Sequence, residues 1–211
     1  MKLETIIVGA LSTNCYLLKD GQSAIVIDPG AEGLRIYEHL KDYKVEGILL
    51  THGHMDHIEG IPYLAGQFKC PIYLHKDELG YIKSFYPQSL IKAFLDIYQT
   101  RGCFVEDAEI ISLGNLQLKA IKVAGHTDGS LCFYEEREKL LFSGDTLFAD
   151  SIGRVDMYKG SSADLSNNIK EHLLILPHDV KVYPGHGEES TIGKEKKYNY
   201  FVGEERDLWD F

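Results

Sequence analysis

The run Thr51–His57, THGHMDH, places three imidazoles and a carboxylate (His52, His54, Asp56 and His57) within six consecutive positions. It directly follows the apolar stretch Val45–Leu50, VEGILL, which reads as a buried strand ending at Thr51. The polar cluster therefore falls where a strand gives way to a loop and the start of a helix. Nitrogen and carboxylate-oxygen donors together suit zinc, and iron or manganese accept the same set. Six adjacent positions cannot all aim at one tetrahedral ion. Dividing them between two ions, with further donors arriving from distant loops, solves the geometry. The competing reading is a solvated loop whose histidines titrate near neutrality, and it must also account for three later segments.

Those segments are Gly125–Ser130 (GHTDGS), Phe142–Phe148 (FSGDTLF) and Tyr183–Gly187 (YPGHG), which bring His126, Asp145 and His186. Each follows or ends a strand-like run: Leu116–Val123, Lys139–Ser143 and Val180–Tyr183. Each then breaks at glycine, where the backbone can turn sharply and carry a side chain close to an ion.

With these residues the chain resembles the metallo-beta-lactamase-fold hydrolases, and more closely their small glyoxalase-II-like (hydroxyacylglutathione hydrolase-like) branch. The resemblance runs from Thr13–Tyr16 and Val26–Gly30 to Thr191–Glu195, nearly the whole chain. It implies that His52, His54 and His126 hold one metal, that Asp56, His57 and His186 hold a second, and that Asp145 bridges both. Spacing agrees with that division. His52 and His54 are two apart and can point from one side of a loop, whereas Asp56 and His57 lie at the start of the next helix. Two cations sharing one water lower its pKa to near or below ~7, so a bridging hydroxide would be present at neutral pH. Asp56, committed to the second metal, is placed to orient that nucleophile and is the expected catalytic residue.

Composition fits one enzyme-sized domain over 1–211, with no linker or low-complexity tail. Twenty-two Lys+Arg against 32 Asp+Glu give a net charge of −10. That balance argues against nucleic acid as a partner, since phosphate binding needs clustered cations. A small-molecule substrate is expected instead. Met1–Val8 is too short and too quickly polar for a signal peptide, and no long apolar run spans a membrane. The four cysteines, Cys15, Cys70, Cys103 and Cys132, form no paired motif, so no disulfide framework is implied and a cytoplasmic setting follows. Cys103 is expected to be the most exposed of them.

Strand-like segments come in two batches, near 6–8, 15–18, 24–27, 45–50 and 71–74, then near 110–113, 116–123, 131–134, 140–142 and 180. Helices are expected over 34–40, through the metal run to Leu64, over 163–174 and near 194–199. A sheet from each half, packed face to face with helices outside, gives an α/β fold, the αββα four-layer sandwich of the metallo-beta-lactamase type. The metal-bearing loops would gather at one edge. A helical insertion around 76–107 carries Leu90, Ile91, Phe94, Leu95 and Tyr98 at helical spacing. It serves core packing or a homodimer contact, or forms a flap that brings Phe85 and tyrosines to the substrate.

Asp28, Thr127 and Ser130 lie near the ligand turns and could support ligand imidazoles or simply make turns. His39, His75, His172 and His178 fall outside the motif and read as surface or helix-end residues. Arg154 follows Asp145 by the interval at which glyoxalase II-type enzymes, by the same resemblance, place an anion-binding residue. A substrate carboxylate, or an internal carboxylate such as Asp156 or Asp150, would satisfy its planar fork. The expected activity is hydrolysis of a thioester such as a hydroxyacylglutathione. A hydrolase of another small ester or lactone, a mononuclear iron persulfide dioxygenase on the same fold and a non-catalytic metal-stabilised binding module are the alternatives.

Overall fold

The computed structural model describes residues 1–156 and 160–205; the expected domain 1–211 thus includes 157–159 and 206–211, which lie outside the described residues. The first sheet is built in chain order from β1 (Lys2–Val8), β2 (Thr13–Asp20), β3 (Ser23–Ile27), β4 (Lys44–Leu49), β5 (Ile72–Leu74) and β6 (Gly102–Phe104). Its first two pairings are antiparallel hairpins, and from β3 onward neighbours run parallel. Parallel neighbours need crossovers, and these are the helices α1 (Gly33–Leu40), α2 (Met55–Ile58), α3 (Ile61–Gln67), α4 (Lys76–Phe85) and α5 (Gln88–Arg101).

The second sheet contains β7 (Ile110–Leu113), β8 (Leu116–Lys122), β9 (Leu131–Glu135) and β10 (Leu140–Gly144) as an antiparallel meander. A small hairpin, β11 (Leu147–Phe148) with β12 (Ser151–Ile152), and a helix α6 (Ser162–Asn168) follow. Then β13 (Lys181–Pro184) pairs parallel with β10, β14 (Ser190–Thr191) closes the edge, and α7 (Ile192–Tyr198) packs outside.

Three hydrophobic cores separate four layers. On β2, Cys15 and Leu17 face the helical side of the first sheet, while Tyr16 and Leu18 face the other sheet. On β9, Leu131 and Phe133 point inward, and Cys132 and Tyr134 point toward α6 and α7. Every residue of β9 and β10 is buried. That is why these strands read as continuous apolar runs rather than alternating ones: both faces are covered. The αββα sandwich expected from the sequence is therefore the observed fold.

Several boundaries differ for physical reasons. The single helix expected through Leu64 is two, because Pro62 sits in the first turn of α3, where its missing N–H costs nothing. The helix expected over 163–174 is α6 followed by a π-helical turn, Ile169–Leu173, which keeps Ile169, Leu173 and Leu174 all buried. The strands β6, β11, β12 and β14 are two or three residues long, too short to carry a periodic signal.

In the insertion, Ile91, Phe94 and Tyr98 line the buried face of α5, and Leu95 packs beside them. Leu90 does not belong to that face and is 64% exposed. The segment also delivers β6 as an added parallel strand. All four cysteines are free, and Cys103 alone is not buried. Among the described residues no helix is long and apolar enough to cross a membrane.

Phe133, fully buried between the sheets, provides a test of the layer assignment. Phe133→Ala should lower unfolding stability by about 3–5 kcal/mol in urea denaturation; a loss under about 1 kcal/mol would place Phe133 outside the inter-sheet core.

Candidate metal centre

All seven residues singled out as metal donors come together at one edge of the sandwich. His52 and His54 lie in the loop after β4, and Asp56 and His57 in the first turns of α2. His126 lies between β8 and β9, Asp145 directly follows β10, and His186 directly follows β13. The parallel pairing of β10 with β13 is what places the last two side by side.

Two groups of donors can be drawn, His52, His54 and His126 with Asp145, and Asp56 and His57 with His186, and Asp145 turns its other oxygen toward the second. In the first, His54 Nδ1 lies 3.0 Å from His52 Nε2 and 3.1 Å from His126 Nε2. Asp145 Oδ2 faces the same two Nε2 atoms at 4.0 and 3.7 Å. In the second, Asp145 Oδ1 lies 3.4 Å from His57 Nε2 and 3.6 Å from His186 Nε2. Asp56 Oδ2 completes it, 3.6 Å from His57 Nε2 and 3.2 Å from His186 Nε2. Bonds of ~2.0–2.2 Å at tetrahedral angles put adjacent donors about 3.3 Å apart, so both sets have the span an ion requires. His57 Nε2 and Asp145 Oδ1 are buried without a hydrogen-bond partner, and a shared cation would satisfy both.

Four of the five imidazoles are held from their far side; the exception is His54, whose far nitrogen, Nε2, is buried without a hydrogen-bond partner. His57 Nδ1 donates to Asp28 Oδ2 at 3.0 Å. His52 Nδ1 donates to Thr51 Oγ1, which in turn donates to Asp28 Oδ2 at 2.6 Å, while Thr51 N–H donates to Asp28 Oδ1. His126 Nδ1 donates to the Arg154 carbonyl at 2.7 Å and His186 Nδ1 to the Leu11 carbonyl at 3.0 Å. Such partners fix the tautomer and aim the Nε2 lone pair. Asp28 is thus a support for two imidazoles at once. Thr127 and Ser130 instead bond each other across their own turn.

Other supporting residues were not signalled by the donor motif. Thr13 Oγ1 donates to Asp56 Oδ2 at 3.1 Å. Asn14 Nδ2 donates to the carbonyls of Pro184 and Gly187, and Tyr16 Oη to that of Pro184, which hold the His186 loop against β2. The sequence marks them through the stretch Thr13–Tyr16 that the family resemblance includes, without assigning them a role. His75 is buried at the N-terminus of α4, where its ring accepts from Asp77 N–H. His39 is exposed beside Glu4.

The donors open on a cleft of about 760 Å³ walled by Leu11, Met55, Phe85, Tyr86 and Phe148. Another cavity, of about 460 Å³ beside Tyr134 and His172, contains none of the seven donors. Arg154 lines the cleft, but its guanidinium makes a two-pronged pair with Asp156, at 2.7 and 2.8 Å.

Residues 8–186 match the Metallo-beta-lactamase superfamily. The chain belongs to that superfamily. It is 37% identical over 211 residues to an uncharacterized protein of Aquifex aeolicus, covering 97% of this chain and 98% of that one. It is 33% identical over 208 residues to the hydroxyacylglutathione hydrolase GloC of Haemophilus influenzae, covering 96% and 98%. Among solved structures, BLEG-1 B3 metallo-beta-lactamase superposes with a TM-score of 0.83 at 30% identity, covering 95% and 99%. TTHA1623 in a di-iron-bound form superposes with a TM-score of 0.78 at 29% identity, covering 94% and 100%. Superfamily membership and the paired donor sets agree on a divalent-metal protein.

Protonation divides the sets in the metal-free chain. Burial pulls His52, His54 and His126 down, His54 to about 4, so these three take up protons less readily than ordinary histidines. Burial also opposes charge on His57, but Asp145 and Asp28 raise it well above its ordinary value. The hydrogen bond to Asp56 raises His186 as well. Entry of an ion into the second set must expel those protons, so its affinity falls as pH falls, starting above the ordinary histidine value. Acidification of the metal-loaded protein should therefore release metal in two steps. The step at higher pH should vanish in His186→Ala and the lower one in His54→Ala. Release in the reverse order would contradict the assignment.

Proposed function

We propose that this metallo-hydrolase superfamily member cleaves a thioester, of the hydroxyacylglutathione kind, using two divalent ions, with zinc as the preferred metal. The observation that carries the reading is the division of Asp145: its two oxygens face separate three-residue donor sets at the floor of one cleft. Iron remains compatible, since TTHA1623 is di-iron-bound and the donor set accepts several metals. When bound, two such ions supply an ionised water at neutral pH and polarise the scissile carbonyl.

The chain's own groups do the rest. Asp56 lines the cleft. Although burial opposes it, the bond from His186 and the charge of His57 hold its carboxyl well below the usual range, with Thr13 adding a hydrogen bond. It stays ionised, its Oδ2 fixed toward the second set, and orients the attacking water. Leu11, Met55, Phe85, Tyr86 and Phe148 give the cleft an apolar wall that seats an acyl arm and excludes water. Every histidine lining the cleft belongs to a donor set, and no lysine lies among its described residues. A thioester suits such a site, because a thiolate, the base of an acid near ~8.5, departs without a proton donor.

The alternative of a mononuclear iron oxidoreductase leaves Asp56, His57 and His186 without a task. A closed structural metal site is disfavoured by the cleft, which leaves substrate access to the donors. The deciding experiment is metal analysis of the purified chain together with a panel of thioesters, lactones and beta-lactams. Thioester turnover that falls by at least ~100-fold in Asp145→Ala, with metal reduced to one ion or none, is expected. Preferred turnover of lactones or beta-lactams would remove the thioester reading.

Arg154 is the one arginine or lysine among the described cleft residues. It would meet an acidic substrate tail by exchanging Asp156 for the substrate carboxylate. Exchange gains less than a new ion pair, so Arg154→Ala should raise KM for glutathione thioesters by less than the roughly tenfold expected of an unencumbered charged hydrogen bond. A small neutral thioester should be unaffected. Equal losses on both substrates would make the Arg154–Asp156 pair purely structural.

A further inference from the structure

Glu78 is a fully buried carboxylate that no donor set uses. It lies in the first turn of α4, where an acidic residue ordinarily faces solvent and complements the helix dipole. Its neighbour Asp77 does so, pairing with Lys122 at 3.0 Å. Glu78 instead points inward and joins two loops distant in sequence. Its Oε2 accepts from Gly53 N–H at 2.7 Å, and its Oε1 from Gly129 N–H at 2.8 Å.

Those two amides sit in the loops that carry the first donor set. Gly53 lies between His52 and His54, and Gly129 closes the turn that begins at His126. Both positions are glycine for a steric reason independent of the hydrogen bonds. A Cβ on Gly53 would lie 3.0 Å from Glu78 Oε2 and 2.7 Å from Ile82 Cγ1. A Cβ on Gly129 would lie 2.8 Å from Glu78 Oε1 and 2.9 Å from His75 Nδ1. The backbone comes this close only because the side chains are absent. The second donor set is tied by other groups, none of them Glu78: Asp28 bonds His57 and Thr13 bonds Asp56 on α2, and the Leu11 carbonyl bonds His186.

We propose that Glu78 is a positioning residue that holds the His52–His54 loop against the His126 loop and thereby sets the affinity of the first donor set for its ion. The proposal rests on the two-set reading of the centre and adds a residue to it. It also gives the helical insertion a function beyond packing. Helix α4 is tied to the metal loop near both ends: through Glu78 at one, and at the other through Tyr86, whose Oη accepts from Met55 N–H at 3.0 Å.

The test is a zinc titration of the metal-stripped full chain against a chelator of known affinity, with circular dichroism to establish that each variant is folded. His54→Ala and His186→Ala assign the two binding steps. Glu78→Gln keeps the shape and one carbonyl acceptor but leaves one amide without a carboxylate partner. It should weaken the step lost in His54→Ala by about ten- to a hundredfold, the usual cost of removing a ligand's support. The step lost in His186→Ala should be unchanged. Glu78→Ala should weaken the first step further; if it does not fold, Glu78→Gln decides.

Equal weakening of both steps in folded Glu78→Gln would reduce Glu78 to a general structural residue, and no weakening would dismiss it. Should the wild-type chain bind a single ion, the two-ion reading fails separately. The role of Glu78 then stands only if that one step is both lost in His54→Ala and weakened in Glu78→Gln.

Discussion

Five imidazoles and two carboxylates lie here with donor atoms 3.0–4.0 Å from their neighbours. No water-filled surface would hold them so, and no apolar interior would tolerate them uncompensated. Positive charge must sit among them. In the metal-free chain the protons of His57 and His186 supply part of it against Asp28, Asp56 and Asp145. Two divalent ions would supply the whole. The rest of the architecture follows from keeping this assembly rigid: four donor-bearing segments must end at one edge, and their backbones must be tied to one another.

The sandwich meets that demand because its central strands are buried on both faces. With cores on either side of each sheet, β4, β10 and β13 are fixed by packing and by their ladders to neighbouring strands. Their ends can then present polar side chains without local stability of their own. The ties that remain are short and polar. Asp28 braces Thr51 and His57, Thr13 braces Asp56, and the carbonyls of Arg154 and Leu11 brace His126 and His186. A buried carboxylate that accepts several hydrogen bonds recurs at Glu195, which receives Asp150 N–H and the side chains of Ser190 and Asn199 and secures the stretch that follows Asp145.

The donors were legible in the sequence because ligand chemistry restricts residue type: few roles other than metal binding call for His, His, Asp and His in six positions. The two sheets were legible because fully buried strands such as β9 and β10 are apolar along most of their length, while β7 and β8 alternate. What escaped was set by tertiary contact. Glu78 and Asp77 look alike as neighbours at a helix start, and only the approach of the Gly53 and Gly129 backbones distinguishes them. The sequence leaves Arg154 a choice between a substrate carboxylate and an internal one, Asp156 or Asp150, and the structure engages it with Asp156. Leu90 belongs to the same apolar series as Ile91 and Phe94, yet it is one step around the helix from the buried face. The break at Glu59–Gly60 is marked by Pro62, which favours a first helical turn.

The central claim is that Asp145 is shared between two ions. Diffraction from crystals of the metal-loaded protein, measured across the absorption edge of the bound metal, tests it directly. The account predicts two anomalous peaks per chain, about 3.5–4 Å apart, with one oxygen of Asp145 bonded to each. His52, His54 and His126 should surround one peak, and Asp56, His57 and His186 the other. A single peak held by the first three histidines, with Asp56 and His186 beyond bonding distance of any metal, would contradict it.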